Sequence, residues 1–153
     1  METSLIVPKL KEYLDAQDEI LAVYLFGSHA EGCARPDSDQ DIAILLQPAV
    51  DPQRYSDYHL HLLDELSYFF PQRLDLIILN QAPPLLQFQV LQKGQRLFDR
   101  NPDTRAELEM HMLNRYYDLR PYYEFHFGHL MEKIKRRGLG HGHTRDPSQT
   151  QKT

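Results

Sequence analysis

Two apolar runs of strand length, residues 20–26 and 42–46, lie on either side of a polar segment in the first third of the chain. A third run of similar length covers residues 74–79. Short continuous apolar runs bounded by turn residues are typical of β-strands that are covered on both faces. Such strands need helices packed against them, so the chain is predicted to form an α/β fold.

Helical periodicity occupies the intervals between these runs. Apolar residues recur every three or four positions over residues 5–14, 60–70 and 84–94, which predicts three helices. Residues 95–98 are predicted to form a short edge strand. The alternation indicates a small mixed β-sheet flanked by helices, built from residues 1–100.

One long apolar stripe follows this domain. Its spacings of three or four predict helix, and its members are Leu108, Met112, Tyr116, Leu119, Tyr123, Phe127, Leu130 and Ile134. Pro121 removes a backbone donor inside the stripe at a cost of about 3 kcal/mol. We therefore predict a helical extension over residues 101–137 that is either two helices or one kinked helix. Residues 138–153 are polar and small, and a disordered tail is predicted.

Length and charge exclude several classes of protein. With 153 residues, the chain is long enough for one domain with a core, and it has no apolar run of membrane-spanning length. The net charge of −5 argues against a broad nucleic-acid surface. Residues 133–137 are basic, which suits the C-terminal end of a helix better than RNA binding. The single cysteine, Cys33, agrees with a reducing cytoplasm.

The polar segment contains the residues for phosphate and metal chemistry. Asp39 and Asp41 are two residues apart on a predicted strand, so their side chains point the same way. Two carboxylates about 4 Å apart repel by roughly 4 kcal/mol. Mg²⁺ would offset this repulsion, because it binds carboxylate and phosphate oxygens together. Gly27 and Ser28, at the end of the first strand, offer close backbone approach, amide donors and a hydroxyl to the same phosphates.

A third carboxylate, Asp75, opens the third predicted strand. If that strand neighbours the second, Asp75 lies beside Asp39 and Asp41 and completes a two-metal clamp. Its expected roles are to ligate metal and to accept a proton from the incoming nucleophile. The alternative is that these acids are merely solvated charges at strand ends. Their joint occurrence favours the site.

At this point the residues resemble a known family. The order Gly27-Ser28, ten intervening residues and Asp39-x-Asp41 is similar to the signature of the DNA polymerase β-like nucleotidyltransferases. The compact form of the motif, with Gly32 and Ser38 to Ala43, resembles the minimal nucleotidyltransferase (MNT) domains. Residues 79–98 and the tyrosine-containing C-terminal helix also resemble the MntA-type antitoxins, which are paired with HEPN-domain toxins in type VII toxin–antitoxin modules. The resemblance covers roughly residues 20–135.

The resemblance implies an Mg²⁺-dependent enzyme that transfers AMP from ATP to a tyrosine of a HEPN-domain partner and silences its RNase activity. It assigns phosphate binding to Gly27 and Ser28, metal binding to Asp39 and Asp41, and the third carboxylate to Asp75. One departure is His29, where relatives are expected to have a basic residue, often arginine. A neutral imidazole there would weaken phosphate contact slightly.

Two other functions remain open. One is a non-catalytic antitoxin that neutralises its partner by binding alone. The other is an enzyme that modifies a small molecule such as an aminoglycoside, although 153 residues leave little room for the second domain that such enzymes generally need. The histidine pairs are more typical of helix surfaces than of metal sites. Tyr117 and Tyr122 lie off the apolar stripe of the last helix, so they either contact the partner protein or are buried deeper in their own domain.

Overall fold

The structure, a computed structural model, describes residues 2–27 and 39–138. In chain order its helices and strands are α1 (Glu2–Asp15), β1 (Ile20–Phe26), β2 (Gln40–Leu46), α2 (Tyr55–Leu66), β3 (Leu74–Ile78), α3 (Pro84–Lys93), β4 (Gln95–Asp99) and α4 (Pro102–Gly138). Short 3-10 turns cover Pro52–Arg54, Ser67–Phe69 and Leu79–Gln81. The motif residues Ser28, His29, Gly32 and Ser38, and all but the first residue of the predicted tail, lie outside the described residues.

The four strands form one mixed sheet in the order β3-β2-β1-β4. β1 is antiparallel to both β2 and β4, and β2 is parallel to β3. The predicted α/β fold with a small mixed sheet is therefore confirmed, and β4 is an edge strand as expected. The parallel pairing of β2 with β3 matters most for function, because it brings the starts of these two strands together.

Helices cover both faces of the sheet, and the alternation of strand side chains decides which face each residue joins. Ile42 and Ile44 of β2 belong to one core with residues of α1 and α2. Ala43 and Leu45 belong to a second core with residues of α3 and α4. Odd-numbered positions of β2 thus face α3 and α4. By the same alternation Asp41 lies on that face.

Arg100 joins the end of α1 to the sheet. No basic residue lies in the last turn of α1, so its terminal carbonyls need donors from elsewhere. The Arg100 guanidinium donates to the carbonyl oxygens of Leu14 at 2.8 Å, Gln17 at 2.9 Å and Ile20 at 2.8 Å. One side chain that follows β4 therefore fixes how the chain leaves α1 and enters β1.

The C-terminal extension is one kinked helix, one of the two forms expected from Pro121. Its 37 residues correspond to a length of about 55 Å. Pro121 lies inside the helix, while the residue with non-helical backbone angles is His126. The apolar stripe is buried at Met112 and Tyr123 but leaves Leu119 exposed. Within the described residues, no helix combines the length and apolarity needed to cross a membrane.

Candidate active site

The end of β1 and the starts of β2 and β3 lie at the same end of the sheet and bring the predicted acidic residues together. Phe26 at the end of β1 pairs with Asp41 near the start of β2. Asp41 in turn pairs with Asp75 of β3, in parallel register. Neighbouring strands lie about 4.8 Å apart, and both aspartates are at positions that face α3 and α4. Asp39 immediately precedes β2.

Gly27 follows β1 and lies directly against the Asp41 carboxylate. Its φ of +80° is in the left-handed region that favours glycine. A Cβ atom added at Gly27 would be 2.2 Å from Oδ2 of Asp41 and 3.0 Å from Cγ. A side chain at this position is therefore excluded by both the backbone conformation and the carboxylate. The glycine lets main chain and carboxylate approach each other closely, as a phosphate cradle beside a metal ligand requires.

The carboxylates repel one another in a poorly solvated place. Asp41 and Asp75 are 8% and 6% exposed. Burial, together with the charges of Asp75 and Asp39, raises the pKa of Asp41 from 3.8 to about 7. The site therefore gains free energy from binding a proton or a cation. Such repulsion, which a bound cation relieves, is expected of carboxylates that ligate a divalent metal.

These carboxylates can supply part of the coordination of a divalent cation. Among residues 2–27 and 39–138, no three His, Cys, Asp or Glu side chains are arranged as a complete metal cage. Mg²⁺ does not require one, because it is commonly bound by one or two carboxylates together with substrate phosphates and water. Asp41 and Asp39 supply carboxylate oxygens of the type it prefers. Ser28 lies outside the described residues, so its contact with phosphate stays a prediction.

A polar network that the sequence analysis missed fixes α4 to β1 beside this site. The hydroxyl of Tyr24 donates to Glu109, which also accepts from Arg105 at 2.9 Å. Arg105 binds Asp99 of β4 at 2.9 Å as well. Burial and the bond to Glu109 raise the pKa of Tyr24. The sequence signal was the spacing of Arg105 and Glu109, four residues apart on one helix.

Comparison with known proteins identifies the family. The family described as "Polymerase beta, Nucleotidyltransferase" matches residues 8–103, which include all of β1 to β4. The chain belongs to this nucleotidyltransferase family. The resemblance inferred from the Gly-Ser and Asp-x-Asp motif is thereby confirmed. Among curated proteins, none matches this nucleotidyltransferase.

Solved structures share the fold of this nucleotidyltransferase over most of its length. A chain from a toxin–antitoxin complex with AMP-PNP is 25% identical, with a TM-score of 0.57, and the match covers 82% of this chain and 96% of that chain. A chain from the MntA-HepT toxin–antitoxin structure is 23% identical, with a TM-score of 0.55 and coverages of 84% and 98%. A complex of tri-AMPylated Shewanella oneidensis HEPN toxin with MNT antitoxin matches with 24% identity, a TM-score of 0.56 and coverages of 86% and 99%.

The raised pKa of Asp41 predicts how stability depends on pH. The folded state binds this proton more tightly than the unfolded state, so the stabilisation is complete below pH 3.8 and is lost as the pH rises through about 7. After solvent screening we expect a loss of about 2 kcal/mol from this group in metal-free protein. Urea unfolding between these pH values should show this loss for the wild type and not for Asp41→Asn.

Asp64→Asn is the matched control, because Asp64 is exposed on α2, away from the site. Its pH dependence should follow that of the wild type. If Asp41→Asn also follows the wild type, then the charge on Asp41 does not oppose folding, and the electrostatic description of the site is wrong.

Proposed function

We propose that this nucleotidyltransferase is an antitoxin that transfers AMP from ATP to a tyrosine of a HEPN-domain toxin and so neutralises it. The observation that carries the proposal is the register of Asp41 with Asp75, with Gly27 against the Asp41 carboxylate. The family supplies the class of reaction. The partner and the acceptor are taken from the toxin–antitoxin complexes of the same fold, one of which contains a tri-AMPylated toxin.

Each residue of the site has a proposed task. Asp39 and Asp41 hold Mg²⁺, and Gly27 and Ser28 bind the phosphates of ATP. When bound, Mg²⁺ neutralises phosphate charge and orients the triphosphate. The raised pKa of Asp41 supports this assignment, since a cation removes the repulsion that burial and the neighbouring acids impose.

Asp75 is proposed to accept the proton of the attacking tyrosine hydroxyl. The tyrosine oxygen forms a bond to the α-phosphorus, the bond from that phosphorus to the bridging oxygen breaks, and pyrophosphate leaves. Asp75 lies on the same face as Asp41 and one strand away, which is the separation expected for a base beside the metal ligands. Positioning and charge neutralisation supply most of the rate for this class of reaction.

Intact-mass spectrometry tests the proposal. The HEPN-domain protein encoded beside this chain is incubated with the chain and Mg²⁺-ATP, and we expect its mass to rise by one or more whole AMP units. Fragmentation should place the added mass on tyrosine. Removal of divalent metal with EDTA should abolish the shift. ATP is available in the cytoplasm, which is where we place the reaction.

The control is the chain with Asp39→Asn and Asp41→Asn, incubated in the same way. A mass shift that persists in this variant would overturn the assignment of Asp39 and Asp41 to the active site. A stable complex that shows no mass shift would contradict the proposed enzyme and indicate an antitoxin that acts by binding alone.

A further inference from the structure

The middle of α4 exposes large aromatic side chains. Tyr117 and Tyr122 are 51% and 53% exposed, and Phe125 is 82% exposed. We call these three residues the aromatic ridge. The alternative that Tyr117 and Tyr122 are buried deeper in their own domain is wrong. Exposed aromatic residues that are grouped on one element mark surfaces that contact other proteins.

Neighbouring rings support the two tyrosines of the ridge. On the side of α4 that faces α3, Tyr116 stacks on Phe88 with ring centroids 3.9 Å apart, and Tyr123 is buried. The rings of Tyr117 and Tyr116 meet edge to face with centroids 5.4 Å apart, and the ring centroids of Tyr122 and Tyr123 are 6.1 Å apart. Tyr117 is thus supported by the half-buried Tyr116, and Tyr122 by the buried Tyr123. A surface ordered before binding loses less entropy when it binds.

The charges around the ridge favour a protein over a nucleic acid. Arg120 forms an ion pair with Glu124 at 3.0 Å. Arg115 donates to the side-chain oxygen of Gln87 at 2.7 Å. Both arginines therefore already have partners on this chain, whereas a phosphate backbone requires cations that are available to it. Nearly neutral surfaces rich in tyrosine and phenylalanine are typical of the centre of a protein interface.

The position of α4 relates the ridge to the active site. Leu108 and Met112, in the first half of the helix, pack in the core that lies on the Asp41 side of the sheet. The helix then continues past this core, and most of the side chains at residues 113–126 are exposed. A partner held by the ridge would thus approach from the side of the sheet on which the acidic residues lie. This placement suits the acceptor of the transfer reaction.

We propose that the aromatic ridge is the surface that docks the HEPN toxin and presents it to the active site. This inference rests on the proposed function. The match to the Shewanella oneidensis complex covers 86% of this chain, more than residues 1–101 can account for, so part of α4 belongs to the fold shared with that complex. A second copy of this chain is the competing occupant, but it would not explain why α4 packs on the face of the sheet that carries Asp41.

The test is the affinity of the full chain for the HEPN protein encoded beside it, measured by isothermal titration calorimetry. Tyr122→Arg with Phe125→Arg should weaken binding by about tenfold or more, as the loss of central aromatic contacts does. Measurements in the Asp39→Asn/Asp41→Asn background separate docking from catalysis. The matched control is Leu60→Arg with Tyr68→Arg, since both residues are large, apolar and exposed. Leu60 lies on α2 and Tyr68 in the turn after it, and α2 packs on the opposite face of the sheet. This control should bind like the parent.

Equal affinity of the ridge variant and the parent would overturn the inference. It would also be overturned if the ridge variant binds normally but sedimentation shows that a dimer of this chain has been lost. Phe125→Arg alone guards against misfolding, because this side chain is the most exposed of the three, and it should lower affinity without changing the melting temperature. If binding depends on the ridge but the wild type transfers no AMP, the proposed enzymatic function is refuted and the docking surface is supported.

Discussion

Replacing Asp39 and Asp41 with asparagine should reduce AMP transfer by about three orders of magnitude, equivalent to about 4 kcal/mol of transition-state stabilisation. Asparagine keeps the shape of aspartate but loses the negative charge that attracts a divalent cation. The nucleotide then lacks the counter-charge that orients its phosphates. The rate of appearance of AMP-modified toxin, measured at saturating ATP, checks this prediction.

The same double variant should be at least as stable as the wild type above pH 7. Asp41 is buried beside Asp75, and its raised pKa shows that the folded protein favours the uncharged form of this side chain. A neutral amide removes that repulsion. Loss of activity together with a higher melting temperature would separate a functional defect from unfolding. This opposition between stability and function is expected where charges are held together for catalysis.

Asp64→Asn serves again as the control that changes one charge and leaves the site intact. A contrasting variant is Asp75→Asn, which should retain ATP binding while turnover falls, because Asp75 is assigned to the proton and less to the nucleotide. Wild-type transfer rates in the Asp39/Asp41 double variant would refute the site. Equal losses of ATP affinity in all variants would refute the separate role of Asp75.

Much of the fold followed from the period of the apolar residues. The runs over residues 20–26 and 74–79 became β1 and β3 with shifts of no more than one residue, because continuous apolar strands need cover on both faces and helices supply it. The helix that was predicted over residues 60–70 begins earlier, at Tyr55, and ends at Leu66. Helix ends depend on capping contacts, which hydrophobic periodicity does not report.

The arrangement of the site was only partly accessible from sequence. The motif identified Asp39 and Asp41, but the position of Asp75 depended on the strand order, which spacing alone does not determine. The parallel pairing of β2 with β3 resolves it. The contact between Gly27 and the Asp41 carboxylate was also beyond sequence reasoning, since Gly27 follows β1 and Asp41 lies on β2, and spacing does not determine how these strands pair.

Long-range polar contacts were the least predictable part. No sequence pattern predicts a role for Arg100. Its side chain nevertheless donates to carbonyl oxygens of residues that lie 80 to 86 positions earlier in the chain. The position of the kink in α4 was similarly hidden. Pro121 explains why a kink was expected, whereas the non-helical angles occur at His126. Helix propensity describes the local free-energy cost of a proline, whereas tertiary contacts decide at which residue the helix bends.

Gly27→Ala should both destabilise the protein and impair AMP transfer. An alanine at φ +80° costs about 1–2 kcal/mol in backbone strain. Its Cβ would also lie 2.2 Å from Oδ2 of Asp41, so either the carboxylate or the turn must move. We expect a total loss of about 2–4 kcal/mol in the free energy of unfolding, measured with urea. Transfer should fall by at least about a hundredfold, since a displacement of about 1 Å in a site can have this effect.

A double-mutant cycle with Asp41→Ala separates the two contributions to stability. Truncation at Asp41 removes the atoms at 2.2 and 3.0 Å from the new methyl group and leaves the backbone strain unchanged. Gly27→Ala should therefore cost less in the Asp41→Ala background than in the wild type, and the difference is the energy of the clash. If the cost is the same in both backgrounds, the carboxylate moves aside freely. In that case Gly27 is required for its backbone conformation and does not set the position of Asp41.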